Sequence, residues 1–417
     1  MKHKLMILGS MDEFITLVKR AESRGIETIV CDGYIDGPAK KYADKSYTID
    51  IRDVDKVAAV CKSEGVDGII ASFSDVLFEY LTKIAHKAGL KTYCPIENVK
   101  YLREKSEMKK MFYELDIPTP KSRVLKYDFC EKDIEDLKFP LVIKPIDGYG
   151  SRGIFIVNSI QELKNRFDES VNFSISEKSI IAEEYNDGYE FNMMNWLVEG
   201  EVHTISVADR EKSVEVIGAI PHVSRIIYPS RIIDMVYDDA RAIIKKVADY
   251  TGIKNGPISM QFFYDPQKGI EVCECAGRLF GYEHELVTYG SGLSIEDLLL
   301  DYVYDADAMK KRLINHDPHF FKNTAGLYFH GHEGCVGSTE LAEKLIQNSD
   351  VLESMIYYKK GENITHGIGA KPYAVRVYLQ RDTADELDVI TDKLFREMAV
   401  LDTNGNNLIY HNQVKKY

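Results

Sequence analysis

The sequence lacks the features that mark membrane-spanning, secreted or disulfide-stabilised proteins. No apolar run approaches the ~20 residues that a membrane-spanning helix needs. The seven cysteines are an odd number dispersed along 417 residues, which argues against a disulfide scaffold and favours a reducing compartment. The apolar stretch within the amino-terminal MKHKLMILGS is too short for a signal-peptide core. We therefore expect a cytoplasmic protein with no membrane partner.

Positive charge is also in short supply. The 53 Lys and Arg residues are outnumbered by 66 Asp and Glu residues, so the formal net charge is −13. Such a chain has no general electrostatic attraction to nucleic acid, and we expect no nucleic-acid partner. With 45% hydrophobic and 29% charged residues the composition is that of a globular protein, and the length suggests two or three domains.

The first 100 residues alternate predicted strands and helices. The strands are Lys4–Leu8, Glu27–Cys31 and 68–71, and the helices cover 12–24, 54–63 and 77–88. This alternation predicts a parallel sheet covered on both faces. A dinucleotide site is not expected, because Gly9 is a lone glycine in a turn where the dinucleotide fingerprint needs several.

The pattern changes after a predicted helix over 96–114. Pro118 and Pro120 end that unit, and paired strands follow at 141–145, 154–157, 180–185, 190–198 and 202–208. A third block begins near residue 301 and contains a predicted strand over 374–379 and an acidic amphipathic helix over 384–398. We therefore expect antiparallel α+β structure after the first, parallel α/β block.

A lysine and a glycine-rich turn stand next to each other in the second block. Lys144 ends the otherwise apolar strand FPLVIKP, where a charge is costly unless it meets an anion or reaches solvent. The following turn, DGYGSRG at 147–153, holds three glycines whose backbone can wrap around phosphate oxygens. Together they predict a lid over phosphates.

Carboxylates end the strand at 180–185. Glu183 and Glu184 follow an apolar run, and Glu190 opens the next strand. Adenine needs a hydrogen-bond acceptor for its amine and a backbone N–H, and ribose hydroxyls favour a carboxylate. This edge could supply all three, although paired glutamates at a strand end are also common as solvated groups.

A hairpin over 258–278 offers two oxygen ligands on one face. A loop at 266–269 would make Asp265 face Ile270, and that register brings Gln261 opposite Glu274 with Cβ atoms ~5 Å apart. Such a pair on an apolar surface suits Mg²⁺ completed by substrate phosphates. A simple Gln–Glu hydrogen bond is the alternative, and a slip of one residue in register would separate the pair.

In their order and spacing, these features resemble the ATP-grasp superfamily, well over residues 1–300 and loosely beyond. The resemblance implies a parallel βαβ preATP-grasp domain over 1–100 and a two-lobed ATP-grasp domain over 101–300. The lobes would cover about 101–185 and 186–300. A C-terminal α+β subdomain would follow over 301–417.

The resemblance also implies roles for individual residues. Lys105, in the element EKSEMK, and Lys144 would contact the nucleotide. The mobile loop over the phosphates would include Gly148, Gly150, Ser151 and Gly153, and the hinge beside adenine would comprise Glu183, Glu184, Tyr185 and Asn186. Ribose would bind Glu190, Mg²⁺ (with Mn²⁺ as an alternative) would bind Gln261 and Glu274, and Arg278 would steady the phosphoryl group. The family's Glu-x-Asn-x-Arg stretch has Ala276 here in place of the asparagine.

The function that the resemblance implies is an ATP-dependent carboxylate–amine or carboxylate–thiol ligase. It would act through an acyl phosphate, release ADP and phosphate, and use a small-molecule acid and amine, with a homodimer as a compatible assembly. Arg225 and Arg231 are predicted to hold a substrate carboxylate. Two alternatives stay open: a bicarbonate carboxylase that acts through carboxyphosphate, and, because of Ala276, an ATP-binding regulatory protein with impaired catalysis.

Overall fold

The amino-terminal part of the computed structural model is a parallel sheet covered by helices. The structure describes residues 2–146, 153–174, 178–213, 222–281, 283–366, 371 and 373–410. The first sheet has the order β3-β2-β1-β4, formed by β1 (Lys4–Leu8), β2 (Glu27–Cys31), β3 (Lys45–Tyr47) and β4 (Gly68–Ile70). Its helices are α1 (Ile15–Ser23), α2 (Val54–Glu64) and α3 (Asp75–Ala88). The predicted parallel α/β block is confirmed.

Local sequence explains where these helices begin and end. Asp53 caps α2 by accepting a hydrogen bond from the backbone N–H of Lys56, and Gly65 ends the helix in the left-handed conformation with φ of 69°. Gly89 ends α3 in the same way with φ of 75°. Helix α3 starts just after the carboxyl end of β4, so its first residue, Asp75, lies at that edge of the sheet.

A second, antiparallel sheet follows helix α4 (Lys105–Glu114). Its order is β5-β8-β6-β7, with β5 (Ser122–Leu125), β6 (Leu141–Pro145), β7 (Phe155–Val157) and β8 (Ile180–Glu184), and it packs against α5 (Ile160–Val171). The predicted pairing of β6 with β7 is confirmed by the register Leu141↔Val157. A small apolar core lies between this sheet and α5.

The largest sheet has eight strands in the order β13-β12-β9-β10-β11-β14-β18-β16. Its strands are β9 (Tyr189–Val198), β10 (Glu201–Lys212), β11 (Val223–Tyr228), β12 (Gly256–Asp265), β13 (Gly269–Ala276), β14 (Asn323–Phe329), β16 (Val351–Ile356) and β18 (Val375–Arg381). All of its pairings are antiparallel. Strands from the predicted C-terminal subdomain therefore extend the sheet that begins in the predicted second lobe, and the domain boundaries themselves stay predictions.

The remaining elements cover and close this sheet. The helices are α6 (Ile233–Thr251), α7 (His284–Ser291), α8 (Ile295–Tyr304), α9 (Ala306–Ile314), α10 (Glu340–Ile346) and α11 (Ala384–Glu397). A small sheet has the order β17-β15-β19, with β15 (Gly334–Ser338), β17 (Asn363–Ile364) and β19 (Leu401–Asp402). None of the helices in the described part of the chain is long and apolar enough to cross a membrane.

Candidate active site

The hairpin of β12 and β13 brings Gln261 directly opposite Glu274, as the sequence predicts, but by a different route. Asp265 pairs with Gly269 rather than with Ile270, so the predicted register next to the turn is wrong by one residue. A β-bulge beside Gln261 inserts one extra residue in β13, and from Gln261 onward the strands pair in the predicted register. The bulge thus returns the two oxygen-bearing side chains to the same pair position.

Glu274 and Gln261 differ in their contacts with other side chains. The Glu274 side chain is exposed, and it has no hydrogen bond or ion pair with any residue that the structure describes. Gln261 donates its amide N–H to Glu190 Oε1 at 2.7 Å, which directs its amide oxygen away from Glu190. Among the described residues no group of three or more His, Cys, Asp and Glu side chains could hold a metal ion. Any cation here would therefore take further oxygen ligands from a substrate, as Mg²⁺ does.

Glu183 lies between two lysines in the cleft beside β6. Its carboxylate is 2.5 Å from Lys144 Nζ and 2.9 Å from Lys109 Nζ, and the residue is only 3% exposed. Burial alone would raise the pKa of Glu183, but Lys109 and Lys144 lower it to about 2. Burial would lower the pKa of Lys144, and the Glu183 carboxylate instead holds it above its ordinary value. The three charges form a buried ion-pair network.

Sequence reasoning missed Lys109 and gave Glu183 a different partner. A lysine in an amphipathic helix is usually solvated, whereas Lys109 is 6% exposed. Its spacing of four residues from Lys105 was the available signal, because residues i and i+4 of a helix share one face. The ammonium groups of Lys109 and Lys144 already occupy the Glu183 carboxylate. A contact between Glu183 and adenine stays a prediction, and it would have to displace one of these ion pairs.

The other predicted hinge residues are engaged by the protein. Glu184 Oε1 accepts a hydrogen bond from the backbone N–H of Lys138 at 2.9 Å, and the N–H of Tyr185 donates to the carbonyl of the residue before β6 at 3.0 Å. Asn186 donates its side-chain amide to Glu271 at 2.5 Å. These contacts fix the segment that joins β8 to β9, and its contact with adenine stays a prediction.

One end of the predicted glycine lid is described. Gly153 has a φ of 68°, and a Cβ atom there would lie 2.8 Å from the Phe173 ring and 3.0 Å from Pro145. Only glycine fits that position without a shift of its neighbours. The remaining predicted lid residues lie outside the described residues: Gly148, Gly150 and Ser151.

Two cations on β10, Arg210 and Lys212, meet Glu190. Arg210 Nε is 2.8 Å from Glu190 Oε1, and Lys212 forms an ion pair with the other carboxylate oxygen. Arg210 also lies 3.5 Å from Glu283. Sequence reasoning missed both cations, because alternating charges in DREK are typical of a solvated strand end. Their spacing of two residues could have revealed the pair, because residues two apart on a strand lie on the same face of β10.

Arg278 is held by the amino-terminal domain. Asp75 binds its guanidinium with both carboxylate oxygens, at 2.9 and 3.0 Å. Burial alone would raise the pKa of Asp75, but Arg278 holds it below its ordinary value. Lys105 lies nearby at the start of α4, where burial lowers its pKa although Glu274 opposes the shift. The structure thus brings Lys105 and Glu274 into one electrostatic environment, and Asp75 is a contact that the sequence did not reveal.

The two arginines that were predicted to hold a substrate carboxylate form ion pairs with carboxylates of the protein. Arg225 is buried, 2.6 Å from Glu211 and 2.7 Å from Asp388. Arg231 is 2.6 Å from the same Asp388 oxygen. Both arginines therefore tie β11 and the loop after it to α11, and a substrate carboxylate would have to displace Asp388.

The comparisons with known proteins agree with this architecture. The family model described as "ATP-grasp domain" matches residues 137–284. The formate-dependent phosphoribosylglycinamide formyltransferase of Saccharolobus solfataricus is 26% identical over 264 residues, which cover 60% of this chain and 63% of that protein. The match thus spans less than two thirds of that relative's length.

Two solved structures share the fold at low identity. The L-amino acid ligase from Bacillus licheniformis has a TM-score of 0.80 at 17% identity, over 96% of this chain and 99% of that chain. The biotin carboxylase domain dimer of the Hydrogenobacter thermophilus 2-oxoglutarate carboxylase, in complex with MgADP, ADP and bicarbonate, has a TM-score of 0.74 at 14% identity, over 99% and 92%. The predicted combination of a parallel α/β domain with an antiparallel ATP-grasp sheet is confirmed. The chain therefore contains a region that matches the ATP-grasp domain, over residues 137–284.

Proposed function

We propose that the chain is an ATP-dependent carboxylate–amine ligase that forms an acyl phosphate and releases ADP and phosphate. The observation that carries the proposal is the pairing of the exposed Glu274 with Gln261 on the sheet face that also bears Glu190. The family match and the formyltransferase, ligase and carboxylase relatives support the same chemistry.

The nucleotide would bind between the four-stranded antiparallel sheet and the eight-stranded sheet. Phosphoryl transfer depends chiefly on neutralising and positioning the phosphate charges. Lys144 and Lys109 would offer those charges two ammonium groups that Glu183 already holds in place. On binding, Lys144 would exchange part of its contact with Glu183 for a phosphate oxygen.

The residues present fit Mg²⁺. Glu274 and Gln261 would hold the ion, because a carboxylate and an amide oxygen are hard ligands and the phosphates would supply the rest. When bound, the ion neutralises charge on the phosphates. Ala276 has no oxygen to offer, so we propose a single protein-held ion.

Arg278 would hold the phosphoryl group during transfer. A carboxylate oxygen of the acid substrate would attack the γ-phosphorus, and the bond from that phosphorus to the bridging oxygen would break to release ADP. The amine nitrogen would then attack the acyl carbon, lose a proton, and expel phosphate. Asp75 would keep the Arg278 guanidinium fixed throughout, since it binds both Nε and Nη2.

The test is acid-dependent ADP release with MgATP and a panel of acids that includes formate, bicarbonate and the α-amino acids, each with and without an amine. Hydroxylamine in place of the amine would trap an acyl phosphate as a hydroxamate. We expect ADP and hydroxamate with at least one organic acid, and loss of both in Glu274→Ala. Turnover with bicarbonate alone would replace the ligase by the carboxylase alternative. Tight ATP binding without turnover on any acid would favour the regulatory alternative.

Three finer assignments stay proposals. A cytoplasmic location is supported by the dispersed cysteines, all seven of which are free in the structure. Mn²⁺ could replace Mg²⁺ at the same oxygen ligands. A homodimer is testable by light scattering of the purified chain.

A further inference from the structure

The sheet face that bears the nucleotide residues continues well beyond them. Arg210 on β10 lies in a row that crosses β11 to Gly326 on β14 and Tyr378 on β18. Two pair positions further along, Tyr328 is opposite Arg376. Directly paired residues of antiparallel strands share a face, and so do residues two apart on one strand. The side chains of Tyr328, Arg376 and Tyr378 therefore belong to the face that carries Arg210.

The loops of the amino-terminal domain cover this continuation. Arg376 is 3% exposed and stacks 4.8 Å from the Tyr378 ring centroid. Its Nη2 atom lies 4.0 Å from Asp12 Oδ2, in the segment after β1, and 3.6 Å from Glu353 Oε1 on β16. The Glu353 side chain is 37% exposed, so the edge of the cluster is open to solvent. A guanidinium fork here could hold a planar carboxylate.

Glu13 places a second carboxyl group beside Asp12. Its Oε2 atom is inaccessible to solvent and has no hydrogen-bond partner among the described residues. A Cβ atom on Gly281 would lie 2.4 Å from that oxygen, so Glu13 packs against the loop three residues after Arg278. Burial, reinforced by Asp12 and Glu285, raises the pKa of Glu13 to about 8 although His284 and Arg376 oppose the shift.

The charges around Glu13 explain why a ligand ammonium would suit this place. Of the two opposing cations, His284 lies 2.7 Å from Glu296 and Arg376 lies beside Asp12 and Glu353. An ammonium group brought by a ligand would satisfy the buried oxygen and offset the carboxylates. The site thus offers a cation for an anionic group and an acceptor for an amine.

We infer that this Arg376 cluster, formed by Asp12, Glu13, Glu353, Arg376 and Tyr378, binds an α-amino acid as the amine substrate. Its carboxylate lies on the Arg376 guanidinium and its ammonium group on Glu13. The inference rests on the proposed ligase function, because it places the nucleophile next to the loop that follows Arg278. It assigns the anion-binding role to Arg376 on β18 and not to Arg225 or Arg231.

The first test uses the wild-type chain saturated with MgADP and compares ligands. Each proteinogenic α-amino acid is titrated by calorimetry, followed by the amine that lacks only the carboxylate of the best binder. Charge-assisted pairs of this kind are worth about 10–100-fold in affinity. We expect at least one amino acid to bind and its decarboxylated amine to bind about 10-fold or more weakly. Equal binding of the two, or binding of no amino acid, overturns the inference.

The second test compares Arg376→Met with Arg396→Met. Arg396 lies on α11 with a side chain 69% exposed, so it is a matched control for loss of one arginine. We expect Arg376→Met to lose about 10–100-fold in amino-acid affinity, Arg376→Lys to lose less, and Arg396→Met to match wild type. Thermal melting and MgADP binding check that each variant folds, and equal affinities of folded Arg376→Met and Arg396→Met overturn the inference.

The hydroxylamine assay separates this inference from the proposed function, because hydroxylamine captures an acyl phosphate without an amino-acid site. Hydroxamate formed by wild type, with amino-acid affinity lost in Arg376→Met and kept in Arg396→Met, supports both. Hydroxamate formation with unchanged amino-acid affinity in Arg376→Met leaves the ligase proposal standing and removes this site. Absence of hydroxamate in wild type removes the ligase proposal itself.

Discussion

Replacing Glu183 with glutamine removes the anion that Lys109 and Lys144 share. Breaking a buried ion pair by removing one partner costs about 3–5 kcal/mol, because the other charge stays buried without compensation. The pKa of Glu183 gives a similar figure: its fall from 4.5 to about 2, after the rise that burial alone would cause, corresponds to ~3 kcal/mol of net preference for the charged carboxylate. We therefore expect Glu183→Gln to lower the free energy of unfolding by about 3–5 kcal/mol.

The assay is equilibrium unfolding in urea, with and without saturating MgADP. Phosphates would take over the compensation of the lysines, so the loss should be smaller in the presence of MgADP. The matched control is Glu169→Gln on α5, because Glu169 forms an ion pair with Arg166 in which both side chains are about half exposed. Surface pairs contribute about 0–1 kcal/mol. A loss below 1 kcal/mol in Glu183→Gln, equal to that of the control, would refute the reasoning.

The effect of Glu183→Gln on the free energy of unfolding should depend on pH. The folded-state pKa of Glu183 is depressed, so its contribution is fully present above pH 4.5 and is lost as the pH falls toward 2. The stability difference between wild type and Glu183→Gln should thus be constant from pH 5 to 8 and shrink below pH 4.5. A difference that grows as the pH falls would show that another group is responsible.

Two further predictions concern the ion pairs of Asp75 and His284. Asp75→Asn weakens the hold on Arg278, so kcat should fall about 10-fold or more while MgADP affinity stays within about 3-fold; an unchanged kcat would contradict the positioning role. Burial alone would lower the pKa of His284, but Glu285 and Glu296 raise it to about 9. Its contribution to stability should be complete below pH 6.5 and decline as the pH rises to 9. Urea unfolding across this range should show a shallower decline in His284→Asn, and an identical slope would refute the assignment.

The opposed Gln261 and Glu274 could be predicted because strand pairing follows from a turn position and a period of two. The pairing predicted next to the turn was wrong by one residue, and the β-bulge compensated for this error. No alternation pattern in the sequence predicts a bulge, since it depends on how neighbouring strands pack. The correct pair was thus reached through two errors that cancel.

Partners distant in the sequence could not be predicted in the same way. Lys109 and Glu183 are 74 residues apart, and local patterns describe each only as a charged residue near the end of an element. Asp75 and Arg278 are separated by 203 residues and by a domain boundary. Only the packing of the first domain against the eight-stranded sheet brings them together. The parallel and antiparallel blocks were predictable because their patterns are local.

Transfer of oxygen from the acid substrate to phosphate is the most direct test of an acyl phosphate. The acid that supports ADP release is supplied with both carboxylate oxygens as ¹⁸O, together with MgATP and the amine, and the released phosphate is analysed by mass spectrometry. Attack of the carboxylate on the γ-phosphorus leaves one of its oxygens on phosphate when the amine expels it. We expect one ¹⁸O atom in each phosphate released with product, and unlabelled phosphate would contradict an acyl-phosphate intermediate.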